Sequence, residues 1–178
     1  LIELMLVLAV AGILLTLVAP SFRDFILTQR LKSVHAQLLT DLQFARSEAA
    51  SRGQAVNVRV RVPTATSPDS CYILFTDTAA PLSNACDCTQ PEGSRCPAGG
   101  TAREVRTVQI PASQGVRLTM RGGQADHLAY NPVNGSIQTA VSNVARGNEF
   151  EIDASVDTAR RLRALISPAG RPASCVPA

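Results

Sequence analysis

The residues of this chain whose type and spacing most directly suggest chemistry are its five cysteines, namely Cys71, Cys86, Cys88, Cys96 and Cys175. Thiolates bind zinc, and the Cys-x-Cys pair at 86 and 88 with a third cysteine at 96 resembles part of a metal site. The cluster lacks the paired Cys-x-x-Cys spacing of zinc ribbons, however, and His127 is the only histidine downstream. The spacing therefore argues against zinc, and disulfide bonds are the alternative chemistry for these cysteines.

The segment 76–102 is rich in Pro, Gly, Ser and Asn and is too polar to build a core of its own. Cross-links would hold it in place. Five is an odd number, so one thiol stays free unless a partner chain joins in. We expect Cys175 to tie the C-terminus back to the domain and two of the loop cysteines to pair locally, with the full connectivity left open.

No pattern of catalytic residues stands out. The chain contains no Gly-x-Ser-x-Gly, His-Glu-x-x-His or P-loop motif. His35 and His127 are far apart in sequence, and Asp77 and Asp87 fall in a segment without predicted regular structure. We expect no enzymatic activity, and we interpret His35 as a partly exposed polar residue of a helix.

Three arginines near the C-terminus, Arg160, Arg161 and Arg163, form a basic cluster, and Arg146 precedes them. A strand beginning at Arg160 would place Arg161 and Arg163 on one face. Positive charge within reach is sufficient for phosphate contacts. The net charge of +3, from 17 basic and 14 acidic residues, does not require a nucleic-acid partner. The alternative is a set of solvated arginines in a chain with one lysine, Lys32.

The chain opens with an apolar run, 1–19, whose one charged residue is Glu3. An unpaired carboxylate at the centre of a bilayer costs about 2.5 kcal/mol or more, so such residues usually have a partner and a function. At about 1.5 Å per residue, the run nearly matches the roughly 30 Å hydrocarbon core, which predicts a membrane-spanning helix. A cleaved secretory signal is the alternative, but no basic residue precedes the run, which continues past Pro20.

Beyond the apolar run the pattern becomes amphipathic. Pro20 should kink the helix. One face then carries residues spaced three or four apart, and Gly53 is positioned to end the helix. That face consists of Leu31, Val34, Leu38, Leu42, Ala45 and Ala49. We place Arg30, Lys32, Gln37, Asp41 and Glu48 on the other faces.

After Gly53 the apolar period changes to two, which predicts β-strands separated by turns such as Asn134-Gly135. The strands are predicted at 56–62, 71–75, 104–110, 115–120, 127–131, 149–154 and 162–167. The predicted architecture is α+β, a long N-terminal helix packed on an antiparallel β-rich domain. Its parts are a transmembrane or filament-core segment at 1–19, the amphipathic half of the same helix at 20–53, and a β-rich domain at 54–178.

The motif Leu1-Ile2-Glu3-Leu4, followed by a membrane-length apolar run and Pro20, resembles the N-terminus of type IV pilins and type II secretion pseudopilins. Within that superfamily the stretch LLTDLQFARSEAASRGQAVNVRV, from Leu38 to Val60, resembles the helix-to-strand junction of the GspH/FimT group. The pieces CYILFTD, AYNPVNGSI and ISPAGR also fit members with a cysteine-bearing loop. The resemblance implies the type IV pilin-like fold.

The resemblance also implies a role. Glu3 would pair with the free N-terminal amine of a neighbouring subunit while the helices stack in a filament core. Prepilin peptidase would have cut the precursor about two residues before Leu1. The expected protein is a minor pilin or pseudopilin at or near the tip of a type IV pilus or type II secretion pseudopilus. It would assemble with other pilins and hold its domain on the periplasmic side of the bacterial inner membrane by a single span, with no cofactor.

A second function implied by the resemblance is DNA binding during natural transformation. Some FimT proteins bind DNA through basic residues around a C-terminal Gly-Arg-x-Arg motif. Gly170 and Arg171 match this motif here, but Ala173 stands at the second arginine position. This departure leaves Arg160, Arg161 and Arg163 as the main candidates for phosphate contacts.

Overall fold

In a computed structural model of the chain, the structure describes residues 2–120, 125–139 and 149–177, with the side chains of residues 13–21 left out. A long helix, α1, spans Ile2–Arg52. Within the described ranges nine strands follow: β1 (Val56–Arg61), β2 (Ser70–Asp77), β3 (Ala102–Ile110), β4 (Arg117–Met120), β5 (His127–Tyr130), β6 (Ile137–Thr139), β7 (Phe150–Ser155), β8 (Arg161–Ile166) and β9 (Pro172–Cys175). Leu1 and Arg146 lie outside the described residues.

The second half of α1 packs one face against the rest of the domain. Its buried residues recur at three- or four-residue spacing, which places them on one side of a helix. The predicted end of the helix is also confirmed, since Gly53 follows α1 with a φ of 62°. Glycine adopts this left-handed conformation without the steric cost that a Cβ imposes. We call the buried face the helix stripe, and it consists of Leu31, His35, Leu38, Leu42, Ala45 and Ala49.

Two polar residues of α1 correct the sequence-based expectation. His35 was expected to be partly exposed, but its side chain is buried. It lies four residues after Leu31 and three before Leu38, so it falls on the same buried face. Its Nε2 lies 2.9 Å from Oγ of Ser174 on β9. Burial lowers the pKa of His35, and the negative charge of Asp153 partly opposes that shift.

The second correction is Asp41, which was placed away from the apolar face of the helix and is almost completely buried. Its Oδ2 accepts a hydrogen bond of 2.7 Å from the Tyr72 hydroxyl, and its Oδ1 lies 3.0 Å from Nη1 of Arg106. Buried polar groups are tolerated when they have such partners. Burial raises the pKa of Tyr72, and the hydrogen bond to Asp41 adds to the increase.

The strands form two antiparallel sheets. The first has the order β3-β2-β1-β5-β6 and the second has the order β4-β7-β8-β9. The helix contacts β1 and β5 of the first sheet and β7, β8 and β9 of the second, so it bridges both. The core between them includes Val58, Leu74, Leu118, Ile152 and Ile166. The predicted α+β architecture is therefore confirmed.

Each of the predicted strands corresponds to an observed strand, with ends that differ by a few residues. Two observed strands, β6 and β9, were not predicted. Both are short, and β9 begins with Pro172, which cannot donate to a sheet ladder. Neither contains enough alternation to be recognised from sequence, and each is held by its neighbour in the sheet.

The outer face of β2 carries a second, smaller core that the polar segment after β2 covers. Cys71, Ile73 and Phe75 point to this face and pack against Cys86 and Cys88. Two disulfides, Cys71–Cys88 and Cys86–Cys96, fasten the covering segment. The expected local pairing of two loop cysteines is confirmed. The expected role of Cys175 is wrong, because it is a free, exposed thiol on β9, a strand of the other sheet.

Ion pairs add to this fastening. Arg59 and Arg61 project from the outer face of β1 and form ion pairs with two carboxylates. These are Asp87 in the covering segment and Asp126 before β5. Arg59 Nε donates to Asp126 Oδ2 at 2.9 Å, and its Nη1 donates to the Cys86 carbonyl at 2.9 Å. Burial pushes the pKa of Asp87 upward, but hydrogen bonds from Arg61 and Thr89 outweigh it and hold the pKa below its ordinary value.

The disulfide pattern predicts the thiol content of the oxidised chain. We expect one thiol per chain to react with Ellman's reagent under non-reducing conditions, and all five after denaturation and reduction. Replacing Cys175 by serine should remove the reaction of the oxidised chain. Three reactive thiols, or a reactive thiol that remains in the Cys175→Ser variant, would contradict the pairing.

The pKa of Asp87 predicts acid sensitivity. Because this pKa is lower in the folded chain than in the unfolded chain, the stabilisation is present above the unfolded value of about 3.9 and is lost as pH falls towards the folded value. We expect Asp87→Asn to lower the free energy of unfolding by about 1–3 kcal/mol at pH 7 and by less at pH 3. Denaturant unfolding of the full chain in detergent measures both. Glu92→Gln, at an exposed site in the same segment, is the control, and an equal loss in both variants would refute the assignment.

Candidate functional site

The first turns of α1 expose a continuous apolar surface. Ile2 is 84% exposed and Met5 is 74% exposed, and further along the helix Phe22 and Phe25 are also exposed. Isolated apolar residues on a surface need no explanation, but contiguous patches of this kind usually mark an interaction site. We use the name apolar helix surface for the exposed apolar residues that α1 carries on either side of 13–21, namely Ile2, Leu4, Met5, Leu6, Val7, Leu8, Val10, Phe22 and Phe25.

The residues predicted to act in filament assembly lie in this surface as far as they are described. Ile2, Glu3 and Leu4 are consecutive exposed residues in the first turn of α1, so the carboxylate is surrounded by apolar side chains. Leu1 falls outside the described residues, and so does the side chain of Pro20 with its predicted kink. Among the residues whose side chains the structure describes, no helical stretch is both long enough and apolar enough to cross a membrane.

Three segments that carried the family resemblance meet in space at the other end of α1. Arg46, in the ARSEA stretch, is half-buried and its Nε donates to the Gly135 carbonyl at 3.2 Å. Gly135 in turn touches Gly170, where an added Cβ would lie 1.8 Å from the Gly135 carbonyl oxygen. Glycine is therefore required at position 170, and the helix, the 131–136 turn and the 167–171 turn are fixed together.

A groove of about 630 Å³ lies beside this junction, between α1 and the two turns. Two guanidinium groups reach it, and no acidic residue lines it. Sequence reasoning missed the groove, although its walls come from the quoted segments, because which residues meet depends on the packing of the two turns on α1. We call it the Arg46–Arg171 groove, and its lining is Gln43, Arg46, Ser47, Ala50, Pro132, Val133, Asn134, Gly135, Arg171 and Pro172.

The structure divides the arginines that were candidates for phosphate contacts. Arg161 and Arg163 share a face of β8, as predicted, because they pair with Ser155 and Asp153 two residues apart on β7. Arg171 follows the opposite end of β8. At about 3.4 Å per residue the two ends of this strand are about 17 Å apart. The candidates therefore do not form one continuous basic surface.

Two of these arginines are also neutralised by carboxylates. Arg160 forms ion pairs with Asp157 at 2.6 Å and Asp24 at 3.3 Å. Arg163 Nε lies 2.6 Å from Asp153 Oδ1, and its Nη1 lies 3.0 Å from Glu151 Oε2. The hydrogen bond to Asp153 raises the pKa of Arg163 against the opposing effect of burial. These paired guanidinium groups have less charge to offer a phosphate backbone.

Metal chemistry has no support in the part of the chain that the structure describes. Four of the cysteines are oxidised in disulfides, so they offer no thiolates. Across residues 2–120, 125–139 and 149–177, omitting the side chains of 13–21, no three His, Cys, Asp or Glu side chains are grouped as a metal ion requires.

A long helix with an exposed apolar first half, packed by its second half on antiparallel sheets, is the architecture of a type IV pilin-like subunit. Comparison with known protein families identifies the family within this class. The sequence model of the family described as "Type II transport protein GspH" matches residues 36–170, and the chain belongs to this family. Its members are structural pilins, so the chain is a minor pilin or pseudopilin that assembles with other pilins in a membrane-anchored, periplasmic filament system.

One of two similar solved structures, with a TM-score above 0.5, supports the fold. Two crystal structures of the type IV minor pilin FimU of Pseudomonas aeruginosa are similar to this chain, each with 18% sequence identity to it. One covers 82% of this chain and 87% of its own with a TM-score of 0.51, and the other covers 82% and 92% with a TM-score of 0.49. No curated protein matches the sequence. None of these comparisons supports the DNA-binding alternative.

Two neighbouring arginines of β8 provide a matched test of the ion pairs. We expect Arg163→Ala to lower the free energy of unfolding by about 1–3 kcal/mol, because it removes the ion pairs that Arg163 makes with the partly buried Asp153 and with Glu151. Arg161→Ala, at an exposed site, should change it by less than about 0.5 kcal/mol. Denaturant unfolding of both variants measures this difference, and equal stabilities would show that the Arg163 pairs are not stabilising.

Proposed function

We propose that this chain is a minor pilin or pseudopilin that enters the filament at or near its tip, in a type IV pilus or a type II secretion pseudopilus. Residues 1–19 hold it in the bacterial inner membrane as a single span and later in the filament core. Residues 20–53 connect this segment to the periplasmic domain formed by 54–178. Prepilin peptidase processes the precursor, and the partners are other pilins.

The observation that carries this proposal is the apolar helix surface. Burying one such side chain contributes about 1.5–3 kcal/mol, and the domain itself covers none of Ile2, Leu4 or Met5. A bilayer covers such a surface before assembly, and the helices of neighbouring subunits cover it afterwards. The residues that make this surface therefore have a use in both environments, which agrees with the assembly role of the family.

Glu3 gives the assembly its axial register. An ionised carboxylate in an apolar environment is costly unless a cation neutralises it. A neighbouring subunit can supply that cation at only one axial offset, and shifting the helices relative to each other would leave Glu3 unpaired among apolar side chains. The cost of an unpaired charge thus selects one register, whereas apolar contacts by themselves tolerate several.

The chain acts through binding and assembly, without catalysis. Two of its buried or half-buried carboxylates are engaged in structural contacts, Asp41 with Tyr72 and Asp87 with Arg61. The domain faces outward from the filament, where it contacts adjoining minor subunits.

The role of Glu3 is tested by Glu3→Leu in the full precursor, expressed in a cell that assembles the filament. We expect normal insertion into the membrane fraction, because the apolar run becomes more apolar, and at least a tenfold lower amount of the variant in purified filaments. Quantitative immunoblotting of membranes and filaments measures both. Glu92→Leu, an exposed site in the periplasmic domain, should leave both values unchanged. Incorporation of Glu3→Leu at the normal level would refute the register role.

A further inference from the structure

The two cations of the Arg46–Arg171 groove differ from the arginines of the ion pairs. Arg59, Arg61, Arg160 and Arg163 all have carboxylate partners. Among the described residues no carboxylate pairs with the two guanidinium groups of the groove. Arg46 uses its Nε for the Gly135 carbonyl, Arg171 is exposed, and both residues line the groove.

The groove is also built rigidly. Its turn wall is fixed to the helix through Arg46 and to the 167–171 turn through the close contact of Gly135 with Gly170. A further hydrogen bond of 3.1 Å runs from the Ile137 amide to the Pro168 carbonyl. A guanidinium group suits a planar anion that it can bind in a bidentate manner, such as a carboxylate. Val133, which is 92% exposed, adds an apolar contact at the rim.

The groove continues the apolar helix surface along α1. From Phe22 and Phe25 a row of exposed residues at three- or four-residue spacing follows one side of the helix to the groove. None of the row's own residues is charged, and the one cation beside the row among the described residues is the exposed Lys32, three residues after Gln29 and four before Ala36. The row continues through Gln29, Ser33, Ala36, Thr40, Gln43, Ser47 and Ala50, of which the last three line the groove.

We propose that the Arg46–Arg171 groove binds a carboxylate-bearing segment of the neighbouring filament subunit, an inference that rests on the assembly role proposed above. The apolar helix surface brings the neighbour alongside α1, and the groove then receives an Asp or Glu side chain, or a C-terminal carboxylate, of that neighbour. Arg171 provides the open guanidinium, Arg46 provides the second cation, and Val133 contacts the adjacent apolar part of the segment. The groove thereby discriminates between neighbours by charge.

The test uses the full chain in assembling cells, with a photo-activatable benzophenone amino acid at position 133 on the groove rim. The same amino acid at position 25 reports on contacts of the apolar helix surface. After illumination of filaments, mass spectrometry identifies the cross-linked peptide of the partner. Arg171→Glu is combined with the probe at 133, and Arg117→Glu, at an exposed arginine on β4, is the matched control.

We expect position 133 to cross-link to a segment of another subunit that contains a carboxylate next to the linked residue. Arg171→Glu should lower that yield about tenfold, a change of about 1.4 kcal/mol in binding, while Arg117→Glu leaves it unchanged. A cross-link at 25 with none at 133 would overturn the groove proposal and leave the assembly role standing. So would a linked segment without a carboxylate, or a yield that Arg171→Glu does not alter. Failure at both positions would overturn the assembly role as well.

Discussion

The burial of the helix stripe is the packing interaction on which the rest of the structure depends. The stripe covers parts of the inner apolar faces of both sheets, so that β1 and β5 on one side and β7, β8 and β9 on the other share a single core. Burial of each large apolar side chain contributes about 1.5–3 kcal/mol. Ala45 and Ala49 are small and allow the strands to approach the helix closely. Other stabilising contacts of the fold, the disulfides and the ion pairs of Arg59 and Arg61, lie outside this shared core.

Two faces stay uncovered once the stripe is buried, and the chain treats them differently. The outer face of β2 is covered internally, by a polar segment that two disulfides and the ion pairs of Arg59 and Arg61 hold in place. The apolar helix surface has no such cover within the described chain. The contrast explains the function of the family to which the chain belongs, because a subunit that seals its domain and leaves its first helical turns exposed is suited to assembly through that helix.

Periodic features could be predicted from the sequence, and features that depend on pairing between distant segments could not. The helix, its end at Gly53 and most of the strands follow from local pattern. The burial of His35 and Asp41 depends on Ser174 and Tyr72, which only the folded chain brings close. The role predicted for Cys175 was wrong because β9, which carries it, has no recognisable strand pattern in the sequence. The arginine cluster was divided because β8 begins at Arg161, whereas Arg171 lies in the turn that follows the other end of this strand.

Hydrogen–deuterium exchange of the full chain in detergent tests most directly whether the helix stripe joins both sheets into one unit. If it does, the amides of 38–49 in α1 exchange only by global unfolding, with the same free energy of opening as those of β1, β2, β7 and β8. Added denaturant should then lower all of these values together. Exchange of 38–49 at a lower free energy, while either sheet stays protected, would contradict the account.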